Sequence, residues 1–536
     1  MKGHGIFRFG IFPLVFLVFC SVMGPGSTAR SQDTPSEGNA DQEIGKVHEG
    51  GTLTIACPEH IRTLDPQKAD LKSERWVIEQ IYDGLFEYDP NDRIVPVLAA
   101  GFPEKIGEYE YLVELKTGLK FSDGTELDAN DVVFTLKRLL NPATQCPTRE
   151  LFRNLNAIEA TSKRTVKVTT GPDCPDFLEL LTRMEAYPLS SETVIKYGNR
   201  YGRIASIGVG PFRLKEWDRE KELILERIYA YPMAQPFLHR IVFRFPSPGV
   251  DPLRELRLAR NELVSNPSPL NASRLSSISA YRVESSPGQR ICQIYLNPDQ
   301  YPFDRPGIRR AFSLGINRQE IVKHVFYRFA TSADSCVPPW HRYYDPNGKI
   351  QSYDPNQALK ILAGEGFGNE FPVSFSLMYT DEEPFRSIAD LIRAQVSLIG
   401  IQIHKVPLAK KDLFDYVYGR GERDRSLFQA ALEDWEDWRG GGGIDQFTWR
   451  LYHSSSPESK LGGKTYLWEQ DLEAAIRSCD PDIRRALFKK AVMQIDQSMV
   501  SVYLCYPHRI WAARKWVNGD FYNSLGHLFL EKVWVR

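Results

Sequence analysis

From about residue 50 onward the apolar positions keep two rhythms that replace one another along the chain. Alternation, the pattern of a half-buried strand, runs through GGTLTIAC (50–57), EYEYLVELK (108–116), TVKVTT (165–170), ELILERI (222–228) and FLHRIVFRF (237–245). Spacing of three to four predicts helices in LKSERWVIEQI (71–81), GIRRAFSLGINRQEIVKHVF (307–326), NQALKILAGEGF (356–367), SIADLIRAQVSLIGI (387–401) and IRRALFKKAVMQIDQS (483–498). Strands return at SVYLCYPH (501–508) and FLEKVWVR (529–536). The two element types mix throughout and no repeat is visible, which predicts an α/β protein.

One stretch, LKFSDGTELDANDVVFTLKRLL (119–140), puts Asp123, Glu126, Asp128 and Asp131 close together. Such density suits a metal site, an acid/base pair or a folded surface. Val132, Val133, Leu136, Leu139 and Leu140 share one face of a helix that starts near Ala129, with Asp128 at its N-cap and Asp131 where a capping box needs an acid. Asp123-Gly124 reads as a tight turn. An EF-hand would need acids at alternate positions, a glycine and a distal Glu, so these acids are expected to hold the scaffold.

The first residues read differently. Lys2 and Arg8 precede IFPLVFLVF (11–19), which is short for a membrane span and suits a secretory leader. Cleavage after Ala29 and lipidation at Cys20, in a lipobox whose small residue is replaced by Phe19, are both open. Residues 30–45 are too polar to pack and read as a spacer. Export implies an oxidising compartment for the remaining cysteines, at 57, 146, 174, 292, 336, 479 and 505. Their odd number leaves one unpaired, and Cys146–Cys174, within one proposed domain, is the expected pair. The 67 basic and 68 acidic residues nearly cancel, so no nucleic-acid footprint is present.

Enzyme and cofactor signatures fail on inspection. LGGKTY has Glu458 where a phosphate loop needs glycine, and GVGPFR has Arg213 in place of the third glycine of a dinucleotide loop. No GxSxG, HExxH or zinc-spaced Cys/His set occurs, so neither a cofactor nor a metal is expected.

Several long segments, in order, resemble the extracellular solute-binding proteins of ABC importers, in the oligopeptide, dipeptide and nickel class. They are TLDP (63–66), IYDGLFEYDPNDRIVPVLAAGF (81–102), the acid-rich stretch above, GVGPFRLKEW (208–217), PFDRPGIRRAFSLGINRQEIVKHVF (302–326) and YDPNQALKILAGEGF (353–367). The resemblance covers about residues 50–536. It implies a clamshell of two α/β lobes with a domain inserted in the first: lobe I at 46–92, 205–290 and 500–536, the insert at 93–204, and lobe III at 291–499. It further implies a non-enzymatic monomer that closes on a peptide and presents it to a membrane permease, with a nickel chelate, haem, sugar or opine as the alternative solute.

A peptide's unpaired backbone groups let a cleft hold it like an added strand, so its ends carry much of the recognition. The family commonly anchors the ligand's ammonium on a carboxylate in lobe III. The matching run here is ALEDWEDWRGGGGIDQF, where Asp434 and Asp437 keep a D-x-x-D spacing beside Trp435 and Trp438. Trp438 replaces the usual proline, Leu432 an aromatic, and 439–443 lengthen the loop. Asp70, Leu71 and Lys72 match the segment that faces the ligand from lobe I, and Tyr379 is a further candidate wall. No arginine stands out for a ligand carboxylate. An acid pair at Asp434 and Asp437 serving a hydrolase is the rival reading, but no nucleophile or metal set accompanies it.

Overall fold

The strand predicted at 50–57 forms β1 (Thr52–Ala56), the middle strand of a seven-stranded mixed sheet, parallel to Arg240–Arg244 on one side and Leu263–Ser265 on the other. The structure is a computed structural model. It describes residues 48–536 except 173–176, 342, 347, 349–351, 369, 419–427, 437–444, 457–458, 460–464 and 479. Leader, spacer and Cys20 therefore lie outside the described residues, as do Cys174, Cys479, Asp437 and Trp438. Among the described residues no helix is long and apolar enough to cross a membrane.

Helix α1 (Lys72–Ile81) covers one face of this sheet with Trp76, Val77, Ile78 and Ile81. Its approach loop is fixed by Glu74, fully buried, whose carboxylate accepts the backbone N–H groups of Arg62, Thr63, Asp70 and Leu71 at 2.8–3.2 Å. The GVG segment meets the other end of α1: Gly210 N donates to Ile81 O at 2.8 Å, and a Cβ on Gly208 would overlap that same carbonyl. Close backbone packing, not phosphate binding, is what these glycines serve.

The inserted domain is a four-stranded antiparallel sheet, Glu104–Lys105, Glu110–Glu114, Thr165–Thr170 and Leu155–Ala160 in spatial order, with helix α2 (Ala129–Leu140) packed on it through Val132, Leu136 and Leu139. The cap is the expected one. Asp128 Oδ1 accepts from Asn130 N at 2.7 Å, and Asp131 Oδ2 accepts from Asp128 N at 3.2 Å while its Oδ1 holds Ser191 N and Oγ.

Two stretches leave the first sheet for a third. β2 (Tyr281–Ser286) passes through residues 287–289 into β3 (Arg290–Leu296), which pairs antiparallel with β4 (Ala430–Glu436) and β5 (Ser501–Pro507). From β5 the chain returns through His508 to β6 (Arg509–Arg514) in the first sheet. β5 was expected in lobe I from residue 500, but its pairing puts it in the six-stranded lobe III sheet, so the return crossing falls at His508. β3 is buried on both faces, with Cys292, Ile294 and Leu296 in one core and Ile291 and Tyr295 in the other. The result is a two-lobed α/β clamshell with an inserted domain.

One expectation changes here. The run 307–326 forms two helices, Pro306–Leu314 and Arg318–His324, because Asn317 caps a new start after Gly315. Cys146 is a free buried thiol with Thr148 Oγ1 3.4 Å from its sulfur, and Cys57, Cys292, Cys336 and Cys505 are also free and buried; the expected partner of Cys146, Cys174, lies outside the described residues.

Candidate functional site

Where the chain crosses between lobes, charged side chains of both lobes meet. Strand alternation puts Asp434 and Glu436 of β4 on one face, with Arg290 of β3 beside them, and turns Trp435 to the other. From lobe I, Lys72 in the first turn of α1 and Arg509 at the start of β6 reach across to this face. Lys72 Nζ donates to Glu436 Oε1 at 2.8 Å, and Arg509 donates to the same oxygen at 3.2 Å. Arg290 Nε donates to Asp434 Oδ2 in an ion pair. Arg509 lies along Gly526, whose φ of +84° and missing side chain leave room for the guanidinium.

The electrostatics follow from crowding three cations around two carboxylates in a partly dry place. Burial by itself would raise the Glu436 carboxyl, but Lys72 foremost, then Arg509 and Arg290, hold it at about 2. Burial pushes the Lys72 ammonium down, with Arg509 and Arg290 adding to the effect, and Glu436 opposes them. Burial works against the Arg290 charge too, yet Asp434 and Glu436 keep its affinity for the proton above the ordinary value. Side-chain exposure rises from 5 % at Arg509 through 15 % at Lys72 and 25 % at Glu436, so the cluster is buried on the lobe I side and opens on the lobe III side.

Of the residues expected from sequence, this arrangement brings together Lys72 and Asp434, with Leu71 half-buried and Asp70 exposed just before α1. Trp435 packs edge-on against Phe447, ring centroids 5.4 Å apart, on the opposite face from Asp434. Tyr379 is corrected: at 3 % exposure it belongs to the lobe III core with Phe303 and Phe375, because its strand Val373–Thr380 is covered on both sides. Asp434 is also no bare carboxylate, since Arg290 already compensates its charge. Sequence reasoning missed Glu436, Arg290 and Arg509. The one signal was an arginine at the start of two largely apolar runs, RICQIYL and RIWAAR. Among the described residues no group of His, Cys, Asp and Glu could hold a metal ion.

A family model described as "Bacterial extracellular solute-binding proteins, family 5 Middle" matches residues 93–458. The glutathione-binding protein GsiB of Salmonella paratyphi A is 26 % identical over 450 residues, covering 82 % of this chain and 86 % of that one. Among solved structures, the substrate-binding protein CtaP of Listeria monocytogenes superposes with a TM-score of 0.78 at 20 % identity, over 91 % of this chain and 99 % of that one. The periplasmic binding protein DppA of Helicobacter pylori, solved in complex with the peptide STSA, gives 0.70 at 22 % identity, over 91 % and 98 %. At these identities the structural likeness establishes the fold.

Proposed function

Because the chain belongs to the bacterial extracellular solute-binding proteins of family 5, we propose that it captures short peptides between its lobes outside the cell membrane and hands them to the permease of an ABC importer. The observation that carries this reading is the charged floor drawn from both lobes, in which Lys72 and Arg509 of lobe I share Glu436 of lobe III. A floor built across the crossing strands changes its geometry whenever the lobes rotate, so a ligand resting on it senses closure directly. Closure is then a shift toward the state that binds better, and its extent is set by the difference in affinity between open and closed forms. Backbone hydrogen bonds along the cleft supply affinity without regard to side chains, and the charged floor fixes the ligand's polar head.

Relatives at 26 % identity carry the name glutathione-binding protein, and structural neighbours were solved with the tetrapeptide STSA, a nonapeptide and Met-Leu. These support a peptide of a few residues. Native mass spectrometry of the protein purified from its source, followed by release and sequencing of what it retains, tests the reading: peptides are expected. A single non-peptide solute or a metal chelate in the cleft overturns the substrate and leaves the family unchanged.

A further inference from the structure

The two crossing strands also meet through a pair of sulfurs. In the register of β3 against β5, Cys292 stands opposite Cys505, and Gln293, Ile294 and Tyr295 follow opposite Tyr503, Val502 and Ser501. Leu504 falls between the first two pairs, so β5 carries a bulge there. The bulge decides where the second sulfur goes. Strict alternation from Val502 would send Cys505 to the side of Tyr503. Instead Val502, Leu504 and Cys505 all enter the core that holds Cys292, Ile294 and Leu296, while Tyr503 and Tyr506 enter the other. A hydrogen bond between the two thiols foremost, with burial after it, raises the Cys292 thiol. The other described cysteines, Cys57, Cys146 and Cys336, lie in three different cores.

We propose that in the exported protein Cys292 and Cys505 are joined as a disulfide, which fastens the two crossing strands together where they enter lobe III. Residues directly opposite in an antiparallel pair have Cα atoms about 4.5–5.5 Å apart, within the roughly 4.4–6.8 Å that a disulfide spans. The inference goes beyond peptide capture and rests on that reading only where it puts the chain outside the cell membrane, in a compartment where disulfides persist. The oxidant is a disulfide-bearing thiol oxidant. One cysteine thiolate attacks a sulfur of that disulfide and leaves a mixed disulfide, and the second cysteine thiolate then displaces the oxidant's remaining sulfur. Two S–H bonds and the oxidant's S–S bond are lost, while the Cys292–Cys505 bond and two oxidant thiols form, so two electrons and two protons pass to the oxidant. At 1 % and 0 % exposure neither thiol can be reached in the folded chain, so exchange takes place during folding and burial then keeps the bond. The bond closes a loop of about 210 residues, and a cross-link of such span takes much freedom from the unfolded chain. Arg290 precedes Cys292 in β3 and Arg509 follows Cys505 just beyond β5, so the staple holds the strands that carry both arginines and leaves lobe rotation to 287–289 and His508.

The full chain is purified from its source after acid quenching, unfolded with an alkylating agent and no reductant, and digested for mass spectrometry. A pair of peptides joined through Cys292 and Cys505, and separated by reductant, is expected. Recovery of both cysteines alkylated, in a chain that has lost its leader, overturns the proposal, as does a bond from either to Cys174 or Cys479; the export reading survives both results. A chain recovered inside the cell with its leader still attached removes the export reading and this proposal with it. Thermal unfolding reads the consequence. Chain reduced in denaturant and refolded in reductant is expected to melt at least about 5 °C below the chain as purified. The Cys292→Ala/Cys505→Ala double variant should differ by less than about 1 °C between the same two treatments, because a bond elsewhere in the chain would move both proteins. Equal melting of the two forms of the unmodified chain, or a shift of the same size in the variant, contradicts a staple at this position.

Discussion

Two acid-rich stretches of this chain look alike in sequence and do different things. Asp123, Glu126, Asp128 and Asp131 are answered close at hand: Asp123 Oδ1 holds Thr125 N and Oγ1, Asp128 caps α2, Asp131 joins the cap to Ser191, and Glu126 meets Lys163 at the surface. Among the described residues, Asp434 and Glu436 are answered by cations far away in sequence, Arg290, Lys72 and Arg509, from three different elements and two lobes. The difference is one of donors. Backbone N–H groups a few residues away need no counter-charge and fix a local turn or cap. Guanidinium and ammonium partners brought in from elsewhere make a site whose shape depends on how the lobes meet.

The largest break in this comparison is expected at Glu436. Glu436→Gln leaves Lys72 and Arg509 without their shared counter-charge in a mostly buried place, and a loss of about 3 kcal/mol in unfolding free energy is expected by denaturant titration. The same group carries a pH signature. Its carboxyl sits at about 2 in the folded chain against 4.5 as its ordinary value. The stability it adds is therefore complete above about pH 4.5 and disappears as pH falls toward 2. The stability gap between the unmodified chain and Glu436→Gln should accordingly narrow steadily as pH is lowered below about 4.5. A gap that stays constant contradicts the ion-pair assignment.

Smaller effects are expected in the inserted domain, and none of them should touch the ligand. Asp131→Ala removes a buried acceptor of three hydrogen bonds, with an expected cost of about 2 kcal/mol. Asp128→Ala removes an N-cap, at about 1 kcal/mol. Asp123→Ala, in an exposed turn, should stay within about 0.5 kcal/mol. Thermal unfolding ranks the three, and peptide titration should return the same affinity for all of them. A change in affinity for any one would bring the first stretch into the binding site and dissolve the contrast.

What could be read in the sequence follows the same division. Helix α2, its cap and the turn at Gly124, with φ of +91°, rest on contacts within a few residues and were legible in full. Lys72 and Asp434 came from resemblance, and both stand on the floor. Glu436, Arg290 and Arg509 were not legible because their partners lie 73, 144 and 364 residues away in sequence. Strand β5 was placed in the wrong lobe for a related reason: alternation states that a strand exists but not which sheet it joins. Tyr379 looked like a wall because an aromatic in a strand reads the same whether it faces a cleft or a core.

The most direct test of the contrast is a crystal structure of the chain with the ligand it retains on purification. The ligand is expected between the lobes, with a charged group within hydrogen-bond distance of the Arg290–Asp434 pair and with Lys72, Glu436 and Arg509 beside it. A ligand seated away from these side chains, or against the Asp123–Asp131 stretch of the inserted domain, would contradict the assignment of the two acid-rich regions.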